Sequence, residues 1–132
     1  MSSRSIVAEF KIRPDKEGKW RRKGGFFTVM VLSDRRAVRK FYGKRSDGLA
    51  AYVRANKSGP DLGVIVFPSR PGGSLVAHEA THAALYFCSW QATGETYGGK
   101  NRFFASDEQI CLAVGNIVAE ISIGLYKKGI WQ

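Results

Sequence analysis

The stretch Val76-Ala77-His78-Glu79-Ala80-Thr81-His82-Ala83-Ala84 constrains this chain more than any other. It is set for a helix. At about 100° per residue, His78 and His82 fall roughly 40° apart on one face, close enough for both imidazoles to reach a single tetrahedral Zn²⁺. Glu79 is offset by roughly 80° from the midpoint of the pair, which keeps it off the metal but lets its carboxylate face a water held there, as a general base requires. The opposite face carries Val76, Ala80, Ala83 and Phe87, a small apolar surface suited to close packing on a sheet. Both histidines of the chain lie in this segment, so a coincidental pair on a solvated face is the weaker reading. Ser74, following Gly72-Gly73, is the expected N-cap.

The segments before this helix read mainly as strands. Apolar residues at 6, 8, 10 and 12 alternate as in a half-buried strand, residues 14–19 read as a turn, and Phe26 to Leu32 forms a second strand, antiparallel to the first. Ser33 to Tyr42 predicts a short helix ended by Gly43, with a basic exposed face. Asp47 to Asn56 fits neither period well and is assigned to a helix. Gly63 to Phe67 is a short strand immediately before the metal helix, and a candidate edge for pairing with an extended peptide. Ser89 to Phe104, with Gly94, Thr96, Gly98, Gly99 and Asn101, reads as a long loop whose Trp90, Tyr97, Phe103 and Phe104 can line a cleft. Ser106 and Gln109 then form a capping box that opens an apolar helix to about Leu125. That helix is apolar nearly all round and is expected to be buried.

A catalytic zinc normally takes a third protein ligand, and no histidine is left. Downstream of His82 the only acids are Glu95, Asp107, Glu108 and Glu120. Glu108 is favoured because Cys111, Gly115 and Ala119 lie within about 60° of it, a stripe of mostly small residues able to pack beneath the metal helix. Asp107, Glu95, Glu120 or a cysteine are the other sources. Acids in a first helical turn also complement the helix dipole without binding anything. Cys88 and Cys111 fall on predicted helices and read as buried small hydrophobes.

His78-Glu79-x-x-His82, followed 26 residues after His82 by Glu108 on a second helix, resembles a minimal gluzincin-type zinc metallopeptidase. Small phage-encoded zincins and the ImmA/IrrE family are similar in scale. The resemblance covers roughly residues 62–125 and implies a compact α+β fold, Zn²⁺ as cofactor and cleavage of a protein target.

The expected architecture is α+β: a small, mostly antiparallel sheet packed against the His78–His82 helix and a second, buried C-terminal helix, in one domain spanning residues 1–132. With 44% hydrophobic residues the chain has ample material for a core, which excludes a disordered chain or a disulfide scaffold. The run Met1 to Ser5 lacks the apolar core of a secretory signal and no apolar run reaches a membrane span, so a cytoplasmic location with no membrane partner is expected.

The net charge of +10 is uneven, since residues 1–57 hold 16 of the 21 Lys/Arg against five acids, while the remainder holds five against six. Two functions compete on this basis. In the first, His78, His82 and Glu108 hold Zn²⁺ and Glu79 takes a proton from the activated water to hydrolyse a peptide bond; Tyr86 or Tyr97 is a candidate partner for the oxyanion. In the second, the basic half, including Lys19, Arg21, Arg22, Lys23, Arg35, Arg36, Arg39 and Lys40, binds nucleic acid or an acidic protein, and the zinc site is structural or degenerate. A structural zinc site has no need of a base between its histidines, which favours the enzyme.

Overall fold

The alternation at residues 6–12 forms an edge strand, β1 (Ile6–Ile12), in a computed structural model that describes residues 6–43, 50–96 and 106–130. β1 pairs antiparallel with β2 (Phe26–Leu32), placing Phe10 opposite Val29 and Ile12 opposite Phe27. From β2 the chain enters α1 (Arg35–Tyr42). Asp34 caps this helix by accepting the Ala37 N–H at 2.8 Å, and Gly43 ends it in the left-handed region at φ 96°. Two further strands follow, β3 (Tyr52–Ala55) and β4 (Asp61–Pro68), and then two 21-residue helices, α2 (Gly73–Thr93) and α3 (Asp107–Lys127).

The α+β class therefore stands, with strand order β1-β2-β4-β3. The β1–β2 pairing is antiparallel as expected and β3 also pairs antiparallel with β4, but the central pair is parallel, with Val29 beside Ile65 and Leu32 beside Pro68. Burial explains this arrangement. β2 and β4 are apolar on both faces, and a strand of that kind must be covered from both sides. One face of the sheet packs Val29, Val31, Ile65 and Phe67 against Ala80, Ala83 and Phe87 of α2 and Ile117 and Ile121 of α3. The other packs Leu32, Val66 and Tyr52 under Ala37 and Val38 of α1.

Several expectations are corrected. Within Asp47 to Asn56 the structure has a strand, Tyr52 to Ala55, because β4 supplies a pairing partner: Tyr52 lies opposite Val66 and Ala55 opposite Gly63. Residues 47–49 lie outside the described residues. β4 is thus an interior strand with both edges paired, and it is not available to an extended peptide. The cap of α2 is Gly72, with Ser74 already inside the helix. α2 also continues through Ser89 to Thr93, where a loop was expected. Its last turns are held by burial of Trp90 and by Gln91, which accepts the Arg22 N–H at 2.7 Å and donates to the Arg22 carbonyl at 2.9 Å. Tyr97, Phe103 and Phe104 lie outside the described residues.

The C-terminal helix is not buried all round. Its capping box forms as predicted, and Ala113, Ile117, Ile121 and Leu125 make a buried row at near-helical spacing. Ile110, Val114 and Val118 pack partly against the core, while other apolar residues face outward, with Leu112 53%, Ile123 46% and Tyr126 76% exposed. A helix that packs on its neighbours along one stripe leaves its other faces to solvent. By length and composition alone α3 would suffice to cross a membrane, and 22% of its most apolar window is buried inside the fold. Of the two cysteines, Cys88 is buried, its thiol pushed up to about 11 by desolvation, whereas Cys111 is exposed.

Gly63 shows how tightly β3 and β4 approach. It sits at φ 130°, and a Cβ there would lie 2.2 Å from the Arg54 carbonyl oxygen and 2.8 Å from the Ala55 Cα. Both obstacles are backbone, so neither can rotate away. Gly63→Ala is expected to lower unfolding free energy by about 2 kcal/mol or more, measured by urea denaturation, whereas Gly115→Ala on the open face of α3 should be neutral or stabilising.

Candidate metal centre

Parallel pairing of β2 and β4 brings their carboxyl ends, Leu32 and Pro68, side by side. The chain leaves β2 for α1 on one face of the sheet and leaves β4 for α2 on the other. A crevice opens between such departures, and ligands of sheets with parallel strands collect there. Here it is a cavity of about 800 Å³ bordered by Asp34 and Arg35 at the start of α1, Ser69 and Arg70 in the loop after β4, and His78 and Glu79 of α2.

On α2 the predicted division of faces is realised. Val76, Ala80, Ala83 and Phe87 are fully buried against the sheet, and His78 and His82 are exposed on the other side. Their ring centroids lie 5.0 Å apart with planes at 72°. Glu79 occupies the border between the two faces. Its side chain is only 6% exposed against 66% for His78, and its Oε2 lies 3.8 Å from His78 Nε2. Burial pushes the Glu79 carboxyl above its usual range, and the adjacent His78 and His82 pull in the opposite direction. A carboxylate held out of water is a stronger proton acceptor than one on the surface.

Two exposed imidazoles at this spacing fit two positions of a tetrahedral Zn²⁺. Among the described residues, no group of three His, Cys, Asp or Glu side chains assembles there. Glu108 is exposed in the first turn of α3, and Cys111, Gly115 and Ala119, the stripe expected to pack beneath the metal helix, are exposed with it. The row that α3 buries is instead Ala113, Ile117 and Ile121. Gln109 and Leu112 share a groove with Cys88, Gln91 and Ala92, so the start of α3 lies beside the far end of α2. Gln91 is nine residues beyond His82, roughly 13 Å along the helix axis. Asp107 is exposed beside Glu108, Glu95 is exposed beyond the end of α2, and Glu120 pairs with Lys16 at 3.7 Å.

The basic residues do not form one face. Lys19, Arg21, Arg22 and Lys23 lie in the connection from β1 to β2, at the amino end of β2, whereas Arg35, Arg36, Arg39 and Lys40 are on α1 beyond its carboxyl end. The connection packs beside α2 and α3, where Lys19 and Arg21 border a groove with Gln91 and Gln109, whereas α1 covers the opposite face of the sheet. Several are also engaged locally. Lys19 pairs with Glu17 at 2.8 Å, Lys23 donates to the Gly18 carbonyl, and Arg22 is half-buried, held through its backbone by Gln91. Arg35, Arg36 and Lys40 are exposed, and Arg39 is half-buried.

Sequence reasoning missed Asp34 and Arg70 as neighbours of His78 and Glu79, and named Arg35 only as part of a basic surface. The signal lay in two polar pairs, Ser33-Asp34 and Ser69-Arg70, each directly following an apolar strand. It becomes legible only once those strands are known to run parallel. No family model, curated protein or solved structure matches the chain.

Proposed function

We propose that the protein is a zinc-dependent metallopeptidase. The observation that carries this reading is the contrast on one helix turn: two exposed imidazoles at i and i+4, and between them a carboxylate withdrawn from water at the wall of an open crevice. A solvated helix face has no reason to bury Glu79, and a structural metal site has no use for it.

His78 and His82 would hold Zn²⁺, which when bound supplies Lewis acidity to polarise a scissile carbonyl. Glu79 performs the proton transfers: its carboxylate accepts a proton from the attacking water and returns it to the departing amine. The crevice gives a peptide access from the side of α1, and the apolar face of α2 keeps the helix rigid against the sheet.

The test is zinc content of the purified chain by mass spectrometry, together with hydrolysis of an unfolded protein mixture with and without a chelator. About one zinc per chain and chelator-sensitive cleavage are expected. A chain that takes up no zinc at neutral pH would sink the reading. Glu108→Ala measured in parallel is expected to retain its zinc, because Glu108 is exposed at the start of α3, which lies beside the far end of α2.

A further inference from the structure

We propose that the crevice beside Glu79 selects substrates by a carboxylate, which Arg35 and Arg70 hold next to the bond to be cleaved. The inference rests on the proposed function for the word substrate, but the binding it describes does not depend on turnover.

Arg35 and Arg70 reach the cavity from different elements, one from the first turn of α1 and the other from the loop after β4. Each occupies a position that local structure disfavours. Arg35 stands at the positive end of α1, in a first turn without acids, where a cation works against the helix dipole. Arg70, at φ 53°, is the one described residue other than glycine with a positive φ, where glycine or asparagine would be easier to accommodate. Residues that contradict their local setting without a structural return are expected at functional sites. No such return appears here. Among the described residues neither arginine forms an ion pair, and both are exposed.

Among the described residues, the two acids that border the same cavity each have another partner. Asp34 caps α1 through the Ala37 N–H, and Glu79 is buried next to His78. Both arginines thus border the cavity without an ion pair among the described residues, and a planar fork of N–H donors matches a carboxylate in two-point contact. That carboxylate can come from an Asp or Glu side chain within a peptide or from a peptide's C-terminus, and the test separates these sources.

Three N-acetylated peptides of one sequence serve as probes in isothermal titration calorimetry against the full-length Glu79→Gln protein. One has a central Glu and an amidated C-terminus, the second a central Gln and an amidated C-terminus, and the third a central Gln and a free C-terminal carboxylate. One of the two carboxylate peptides is expected to bind about tenfold or more tightly than the neutral peptide. Arg35→Gln and Arg70→Gln should each erode that preference while leaving the neutral peptide's affinity and the circular dichroism spectrum unchanged. A preference for the first probe assigns a side-chain carboxylate, and one for the third assigns a C-terminus. Equal affinity for all three, absence of binding, or a preference that survives both arginine variants would overturn the proposal. A preference of the expected form in a protein whose wild type hydrolyses nothing would leave the carboxylate site standing and remove the metallopeptidase reading instead.

Discussion

Replacing Glu79 with Gln is expected to lower peptide hydrolysis by about 10²- to 10⁴-fold while leaving both the fold and the zinc content unchanged. The amide is isosteric with the carboxylate but cannot accept the proton of the attacking water. Glu79 is 4% exposed and its carboxyl is shifted upward by burial, so a neutral group at this position removes a desolvation cost. The metal-free variant should therefore unfold at a denaturant concentration no lower than that of the metal-free wild type. Steady-state kinetics and denaturation together separate this outcome from misfolding. An active, normally folded Glu79→Gln protein would refute the assignment of the base.

Removing His78 and His82 together is expected to abolish stoichiometric zinc, and either single Ala variant should weaken binding by more than the roughly 10- to 100-fold associated with outer partners of a metal site. Because both rings lie on the exposed face of α2, their loss should cost little stability in the metal-free protein, within about 0.5 kcal/mol, and Ala is the best helix former at such positions. This contrast distinguishes ligands from packing residues. Val76 or Phe87, fully buried on the opposite face, would show the reverse pattern, a large stability loss with metal binding lost only through unfolding. Zinc retained at one per chain in the double variant would mean that the metal is held elsewhere.

How far the sequence reached differs between the two helices of the expected site. For α2, an i, i+4 spacing is a local property: once residues 76–84 are helical, His78 and His82 share a face, and the apolar positions 76, 80, 83 and 87 can only lie on another. For α3, the capping box at Ser106 and Gln109 is equally local and formed as predicted. Which side of α3 would be covered was not local. Its composition is apolar nearly all round, so several stripes were comparable, and choosing the one that carries Glu108 required knowing how α3 meets α2. The packed row is Ala113, Ile117, Ile121 and Leu125, and Glu108 is left in solvent.

By itself the sequence determined what depends on short spacing: the alternation of β1, the apolar run of β2, the end of α1 at Gly43, the face of α2 that carries the imidazoles, and the α+β class that follows from those elements. Tertiary structure alone decided what depends on partners distant in the chain. Tyr52 to Ala55 became a strand because β4 offered hydrogen-bonding groups that outweighed a weak local preference. α2 extended to Thr93 because Trp90 and Gln91 found burial and hydrogen bonds near Arg22. β2 and β4 became parallel because both are apolar on two faces and each needed a layer on either side. From that parallel pairing came the crevice in which Arg35 and Arg70, 35 residues apart in sequence, meet His78 and Glu79. No spacing rule connects those residues, since the free energy that brings them together is that of closing the sheet.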